Sequence, residues 1–461
     1  MSTDICARPV HVTTILGGDM RLEASTYLRS GYGFVRLARH ATGTVELGDL
    51  ADIWQPSRLT GYTVAEGKGL PFFTAGQVFE DFPRVRKWLA KPFIPQADER
   101  YADTDWLLLS CSGVVGRVTA VYPHHLGKII THDLLRVVPK DAAEYGWLYA
   151  YMKTDFFQQI AQAAQYGHMI KHIEVAHAAA FPVIMPDKRV RRAIGDIAVD
   201  AVGKRSHAWE LRDKAFVALE KALGARGGVM PSASTRSIVR LSSIMRSRLR
   251  LDADYYEGSV TDAEKLVSDH STSTLGDVTL FASDLGRFAR VYGDGGMPYV
   301  GASELFDVNA KPTKHIYAKL VREWKKYLLH KGTIIMACSG QKYGVIGRCL
   351  MLTENHEGLF GSHDLIRIVP DASKMRSGYL LTFLNDPLIG RPCVVRNAYG
   401  TSVPHLDPGD VRKIRIPRLG EDVENAIADL MDQSVTLSAE ADRLENKTIS
   451  LAQKEIDKAI S

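Results

Sequence analysis

Short apolar runs closed by Gly, Pro, Ser or Asp alternate along this chain with stretches in which apolar residues recur every three or four positions. The runs Trp106-Leu107-Leu108-Leu109, Leu134-Leu135-Arg136-Val137-Val138, Thr333-Ile334-Ile335-Met336 and Leu365-Ile366-Arg367-Ile368-Val369 predict strands. Helical spacing from Gly146 to Ala164 and from Ser377 to Ile389 predicts a helix after each later strand. Two proline-free segments follow. In one, Val190, Ile194, Ile197, Ala201, Ala208, Leu211, Ala215 and Leu219 make an apolar stripe; in the other, Val423, Ile427, Leu430, Leu437, Leu444, Leu451, Ile456 and Ile460 do so less strictly. A helix of about 35 residues spans roughly 50 Å, more than a domain of this size needs, so each segment is expected to be a spacer.

The pattern occurs twice. Leu109 to Arg117 and Thr131 to Pro139 return as Ala337 to Arg348 and Ser362 to Pro370. Arg21-Leu22-Glu23-Ala24 pairs in the same order with Arg250-Leu251-Asp252-Ala253, and Tyr166-Gly167 with Tyr399-Gly400. A repeat of this length means two copies of one domain. Between Cys-Ser-Gly and Gly-Arg the second copy carries four additional residues, Gln341 to Gly344, which marks that loop as the place where the copies differ in task. The expected organisation is a mixed α/β (α+β) chain with an internal duplication: a first globular domain over 1–186, a long helix over 187–228, a second domain over 229–419 and a second long helix over 420–461.

Charge sharpens this picture. Lys188 to Gly228 holds ten basic and five acidic residues, whereas Gly420 to Ser461 holds four basic and ten acidic. Opposite charge on the flanks of an apolar seam favours pairing of the two helices, antiparallel if a pseudo-twofold relates the halves. Phe281 to Leu350 has eleven basic and five acidic residues, against eight of each in the matching stretch Ala51 to Arg117. The five cysteines form no Cys-x-x-Cys and no metal-like grouping, no leader-like start is seen, and no apolar run reaches membrane-spanning length. These features predict a cytoplasmic protein with reduced cysteines, no metal, no cofactor and no membrane partner.

Signals for chemistry fail on spacing. Gly61 to Gly69 is one residue too long for a phosphate loop and lacks the Ser or Thr after Lys68. The pairs His132-Asp133 and His363-Asp364 open apolar strands without a second set of ligands, which favours structural hydrogen bonding. Pro186-Asp187-Lys188 lacks the acidic partners of a nuclease centre, and no Asn-Pro-Pro-aromatic motif is present. No catalytic residue is expected. The candidates are instead for nucleic-acid contact: Arg58, Lys68, Gln77, Arg84, Arg86, Lys87 and Lys91 in the first copy, and Arg287, Arg290, Tyr292, Lys311, Lys314, Lys325 and Lys326 in the second. Gln341, Lys342 and Tyr343 add an amide, a cation and a phenol on the inserted loop, groups suited to base edges and phosphates. The loops after Tyr166-Gly167 and Tyr399-Gly400 contribute His168, Lys171 and His172 in one copy and Thr401, Ser402 and His405 in the other, either as a groove-facing loop or as a shared packing device.

Taken in order, the Cys-Ser-Gly turn, the apolar strand ending in Pro, the Tyr-Gly loop and the long helix, all present twice, resemble the specificity subunit of type I restriction-modification enzymes from about Arg21 to the C-terminus. The resemblance implies two target recognition domains, each reading half of a split double-stranded DNA sequence, and an antiparallel coiled coil that fixes the gap. It further implies adenine methyltransferase (M) subunits as partners and, through them, a restriction and translocation subunit. Two other readings remain open: a DNA-modifying enzyme built on the two His-Asp pairs, and a coiled-coil scaffold whose duplicated domains bind peptides.

Overall fold

The computed structural model describes residues 30–166, 171–225, 238–246 and 249–461, with Val10, Val12, Ile15 and Tyr27. The 21–24 segment, His168 and most of the Gly- and Ser-rich connection lie outside the described residues. The chain divides into two compact units, 1–206 with 441–461 and 207–440. The division runs through both long helices, so each unit holds one globular copy and a length of the helix pair.

In the first unit, strand β1 (Thr44–Glu46) is followed by β2 (Ala51–Trp54), β3 (Thr63–Val64), β4 (Leu70–Phe73), β5 (Lys87–Leu89), β6 (Leu107–Ser110), β7 (Val118–Ala120), β8 (Ile129–Ile130), β9 (Leu134–Pro139) and β10 (Pro182–Ile184). They form a core sheet in the order β2-β9-β6-β7, a second sheet β3-β5-β4-β8 and a pair β1-β10. The second unit repeats this plan with β11 (Ser271–Thr274), β12 (Thr279–Ser283), β13 (Tyr292–Val300), β14 (Lys314–Ile316), β15 (Ile334–Ala337), β16 (Cys349–Met351), β17 (Phe360–Gly361), β18 (Leu365–Pro370) and β19 (Arg415–Arg418). Its sheets are β12-β18-β15-β16, β14-β13-β17 and β11-β19. Register agrees as well: Leu107 faces Val137 where Ile334 faces Ile368, and Trp54 faces Arg136 where Ser283 faces Arg367. The duplication is therefore structural.

Both apolar core strands carry an arginine at their centre. Arg136 is buried, donating from Nη1 to the carbonyls of Thr131 (3.0 Å) and Leu134 (2.7 Å) and from Nη2 to those of Arg100 (2.9 Å) and Ile130 (3.0 Å). Arg367 does the same to Leu365, Tyr327, Gly361 and Ser362 at 3.2–3.5 Å. Burial pulls both guanidiniums down to about 10. A planar fork with five donors can tie several carbonyls at once, which suits it to pinning two sheets together.

The copies differ in one part of this core. Trp54 and Trp106 meet edge to face at 5.0 Å in the first unit. The corresponding register positions in the second are Ser283 and Thr333, and there Thr333, Phe281, Leu285 and Arg367 help line a cleft of about 320 Å³.

Each predicted post-strand helix is interrupted. Helices α1 (Tyr145–Met152) and α2 (Asp155–Ala164) replace the single helix expected over 146–164, because the Thr154 side chain caps the second by accepting from Phe157 N. In the second unit α4 (Ser377–Asn385) stops before Asp386-Pro387, short of the expected Ile389, and the Asp386 carboxylate accepts from the Leu388 and Ile389 N–H groups before α5 (Gly390–Val395) begins.

The long helices are continuous, α3 over Lys188–Ala222 and α6 over Glu421–Ile460. They pack antiparallel: in the first unit Thr448 Oγ1 donates to Ile194 O (2.9 Å) while Arg205 pairs with Asp442. In the second unit Ser434 Oγ donates to Ala208 O (2.6 Å). The most buried line of α6 departs from the expected leucine stripe. It runs through Ile427, Met431 and Ser434 in one unit and Ala441, Glu445, Thr448, Ala452 and Ile456 in the other, whereas Leu430, Leu437, Leu444 and Leu451 are half-buried. Small and hydroxyl side chains let the backbones approach and satisfy carbonyls across the seam. Glycine does this on the globular side: a Cβ at Gly146 would lie 2.3 Å from Gly195 O of α3, and one at Gly378 2.6 Å from Ala428 O of α6.

Candidate nucleic-acid interface

The Cys-Ser-Gly turn leaves the core sheet at the end of β6 or β15 and is held by the same backbone bonds in both copies. Cys111 N donates to Asp133 O (3.0 Å), Gly113 N to Lys171 O (3.1 Å), and Ile173 N to Cys111 O (2.9 Å). Cys338 N to Asp364 O (3.2 Å), Gly340 N to Pro404 O (3.1 Å), and Leu406 N to Cys338 O (2.8 Å) repeat them. Tyr166 and His172 exchange two backbone bonds, as Tyr399 and His405 do. The Tyr-Gly loop is thus a shared brace for the turn. Gly116 and Gly347 have positive φ, and a Cβ would press on Ala161 Cβ at 3.0 Å or Val394 Cγ1 at 2.9 Å. The arginine after each glycine stacks on a phenylalanine, Arg117 on Phe79 at 4.0 Å and Arg348 on Phe306 at 5.1 Å.

In the second unit several of the candidate residues connect to this braced turn. Gln341 Nε2 donates to Ser402 O (3.4 Å), which joins the inserted loop to Thr401-Ser402, and Tyr343 stands 83% exposed. Lys342 bonds Asp254 Oδ2 at 2.6 Å. Asp364, whose carbonyl holds the turn, also accepts from Arg290 Nη2 (2.7 Å) through its carboxylate. Arg290 then lies 6.0 Å from the Tyr299 ring, Tyr299 meets Tyr292 edge to face at 5.5 Å, and Lys314 Nζ sits 5.6 Å over Tyr292. Arg290, Tyr292 and Lys314 therefore form a chain of contacts that ends at the residue bracing the turn. Arg287 and Lys311 are exposed nearby in sequence. Lys325 lies 6.0 Å over Trp324, and Lys326 pairs with Glu323 at 2.8 Å.

In the first unit the candidates divide between exposed cations and groups engaged with the fold. Arg58, Lys68, Lys87 and Lys91 are exposed. Arg86 is locked in a two-point pair with Glu80 (2.8 and 2.6 Å), and Arg84 lies over Phe82 at 5.5 Å. Gln77 is only 3% exposed and closes a capping box: its Oε1 accepts from Thr74 N (3.2 Å) and its Nε2 donates to Arg84 O (2.7 Å). That amide is committed to the fold. Lys171 supplies the carbonyl that holds Gly113.

The His-Asp pairs serve as struts. His132 O accepts from Gln55 Nε2 (2.8 Å), Asp133 accepts from Thr131 Oγ1 (2.9 Å), and Arg290 Nη2 lies 3.2 Å from His363 Nε2. Burial lowers the affinity of both imidazoles for a proton. Among the described residues no group of three or more His, Cys, Asp or Glu could hold a metal ion, four cysteines are free and buried, and no helix is long and apolar enough to cross a membrane.

Sequence spacing missed three groups. Arg136 and Arg367 were signalled by a charged residue repeated at the centre of an apolar strand. The third group lies in the first unit. There Arg205 of α3 is buried between Asp442 and Asp81, with Nη1 3.8 Å from Asp81, while Glu445 accepts from Tyr149 OH (3.1 Å) and pairs with Lys153. Burial works against the Arg205 charge, and the two carboxylates outweigh it, so its affinity for the proton rises.

No family model and no curated protein matches the sequence. Among solved structures the chain is similar to the type I restriction-modification system S subunit from M. genitalium, with 14% identity, 90% of this chain and 94% of that one covered, and a TM-score of 0.32. It is similar to the HsdS subunit from Thermoanaerobacter tengcongensis at 14% identity, with 91% and 97% covered and a TM-score of 0.26. A third is a chain from a structure titled for complex assembly and conformational transition of the type I R-M system, at 13% identity, with 90% and 97% covered and a TM-score of 0.28.

Proposed function

We propose that this chain is a non-catalytic DNA specificity subunit of a type I-like restriction-modification or related defence system. It reads a bipartite double-stranded target and directs adenine methyltransferase subunits, and a nuclease subunit where one is present. The observation that carries this reading is a duplicated scaffold that braces the same turn by the same backbone bonds yet displays different side chains from it. Identical frames with unlike display loops are what two readers of unlike half-sites require.

Basic groups such as Arg58, Lys68, Lys87, Arg287 and Lys314 position the phosphate backbone, while Gln341, Tyr343, Thr401 and Ser402 face bases. Gln77, buried in its cap, is left out of this proposed contact set. The helix pair sets the separation of the half-sites, since a rigid spacer fixes both distance and rotational phase along a duplex.

The test is single-molecule methylome sequencing in cells with and without the gene, the methyltransferase being expressed in both. Loss of methyladenine at one split motif is expected. An unchanged methylome overturns the proposal.

A further inference from the structure

The Arg250-Leu251-Asp252-Ala253 segment precedes the first strand of the second globular copy. Its arginine forms a two-point pair with Asp252 (2.6 and 2.7 Å) and donates through Nη2 to Ala398 O at 2.9 Å and through Nη1 to Asn397 O at 3.4 Å. Those carbonyls lie immediately before Tyr399-Gly400. Arg250 and Arg396 both lie against the Tyr255 ring, at 4.9 and 4.0 Å, and Arg396 is paired with Glu264. Four residues beyond Arg250, Asp254 receives Lys342 from the inserted loop. The same short segment thus holds both the brace and the insertion.

The insertion is tied down at each end. Gln341 reaches Ser402 O, Lys342 reaches Asp254, and Arg391 Nη2 donates to Gly344 O at 3.0 Å. Tyr343 is the residue left projecting. An exposed loop of four extra residues would sample many conformations, and three tethers reduce that freedom before DNA arrives. We infer that Arg250 and Asp254 are specificity-positioning residues: they set the pose of the 341–344 loop, and Lys342 acts through Asp254 as a loop anchor in place of contacting phosphate. This inference rests on the proposed reading of the chain as a DNA specificity subunit.

The test uses methylomes of cells carrying the full-length gene with its methyltransferase. Asp254→Asn removes the ion pair at a side chain that is 65% exposed, so folding is spared. It is expected to raise methylation at near-cognate sites by about fivefold, the scale of a well-placed exposed ion pair, at one half-site only. Arg250→Lys, which keeps the charge and loses the fork, is expected to relax the same half-site. The exchanged pair Asp254→Lys with Lys342→Asp is expected to restore stringency, which a merely structural role would not do. Unchanged stringency in Asp254→Asn, equal relaxation of both half-sites, or failure of the exchanged pair overturns the inference while leaving the proposed function standing. Absence of any split motif for the unaltered chain removes both.

Discussion

Replacing Arg205 by methionine probes the junction of helices and globular copy in the first unit. Arg205 is 2% exposed, bonded to Asp442 and 3.8 Å from Asp81. Methionine fills much of the same space, so the cavity cost is small and the main effect is electrostatic. Asp442 is largely covered as well, and removing one partner of such a pair leaves an uncompensated charge, at a cost of about 3–5 kcal/mol. Against a total of about 5–15 kcal/mol for a domain, that is a large share. The assay is urea unfolding of the full-length chain at pH 7. Arg205→Met/Asp442→Leu is expected to recover most of the loss, because apolar groups often replace a buried pair without penalty. The pH dependence has a definite sign. Burial holds the Asp442 carboxyl above its ordinary value, so the unfolded chain releases that proton first as pH rises. The deficit of Arg205→Met should therefore be small near pH 4 and grow toward pH 7. A single variant within about 1 kcal/mol of the parent would refute the reasoning, as would a deficit that grows on acidification.

Three further outcomes are expected. His125 is buried and its imidazole is pushed down to about 3, so the unfolded chain takes up a proton near pH 6.5 that the folded chain refuses. Stability should fall with pH below 6.5, by about 2 kcal/mol at pH 5, and the urea midpoints of His125→Gln should lack that component. Burial raises the phenols of Tyr122, Tyr145, Tyr149, Tyr151 and Tyr379, so stability is lost as pH climbs past about 10; tyrosinate absorbance from these five should appear only as helical circular dichroism disappears. Tyr343→Ala should weaken binding to the target by about fivefold or more while leaving the melting temperature unchanged, as measured by mobility shift and thermal denaturation.

The repeat made the architecture readable in advance. Cys-Ser-Gly and His-Asp-Leu-x-Arg stand at matching places, and the strands they bound occur there in matching register. The helix pair was readable from its complementary charge. Its seam was not, because hydropathy ranks leucine above serine, whereas Ser434 and Thr448 reach carbonyls that leucine cannot satisfy. Gln77 shows the limit for contact residues: an amide in a basic stretch suits a base edge, yet the spacing Thr74-x-x-Gln77 is also that of a capping box, and burial decides. Thr154 broke a helix whose apolar spacing runs straight through it, since a hydroxyl cap is a local event that periodicity averages away.

The unequal cores carry a consequence for how the two copies can change. In the first copy the indoles of Trp54 and Trp106 occupy this place, so a larger neighbour would have to displace one of them. The second copy has Ser283 and Thr333 at those positions, and Thr333 lines a cleft, so a bulkier side chain at 333 can enter space that already exists. Divergence is less constrained on that side, and it is the second copy that carries both the inserted loop and the excess of positive charge.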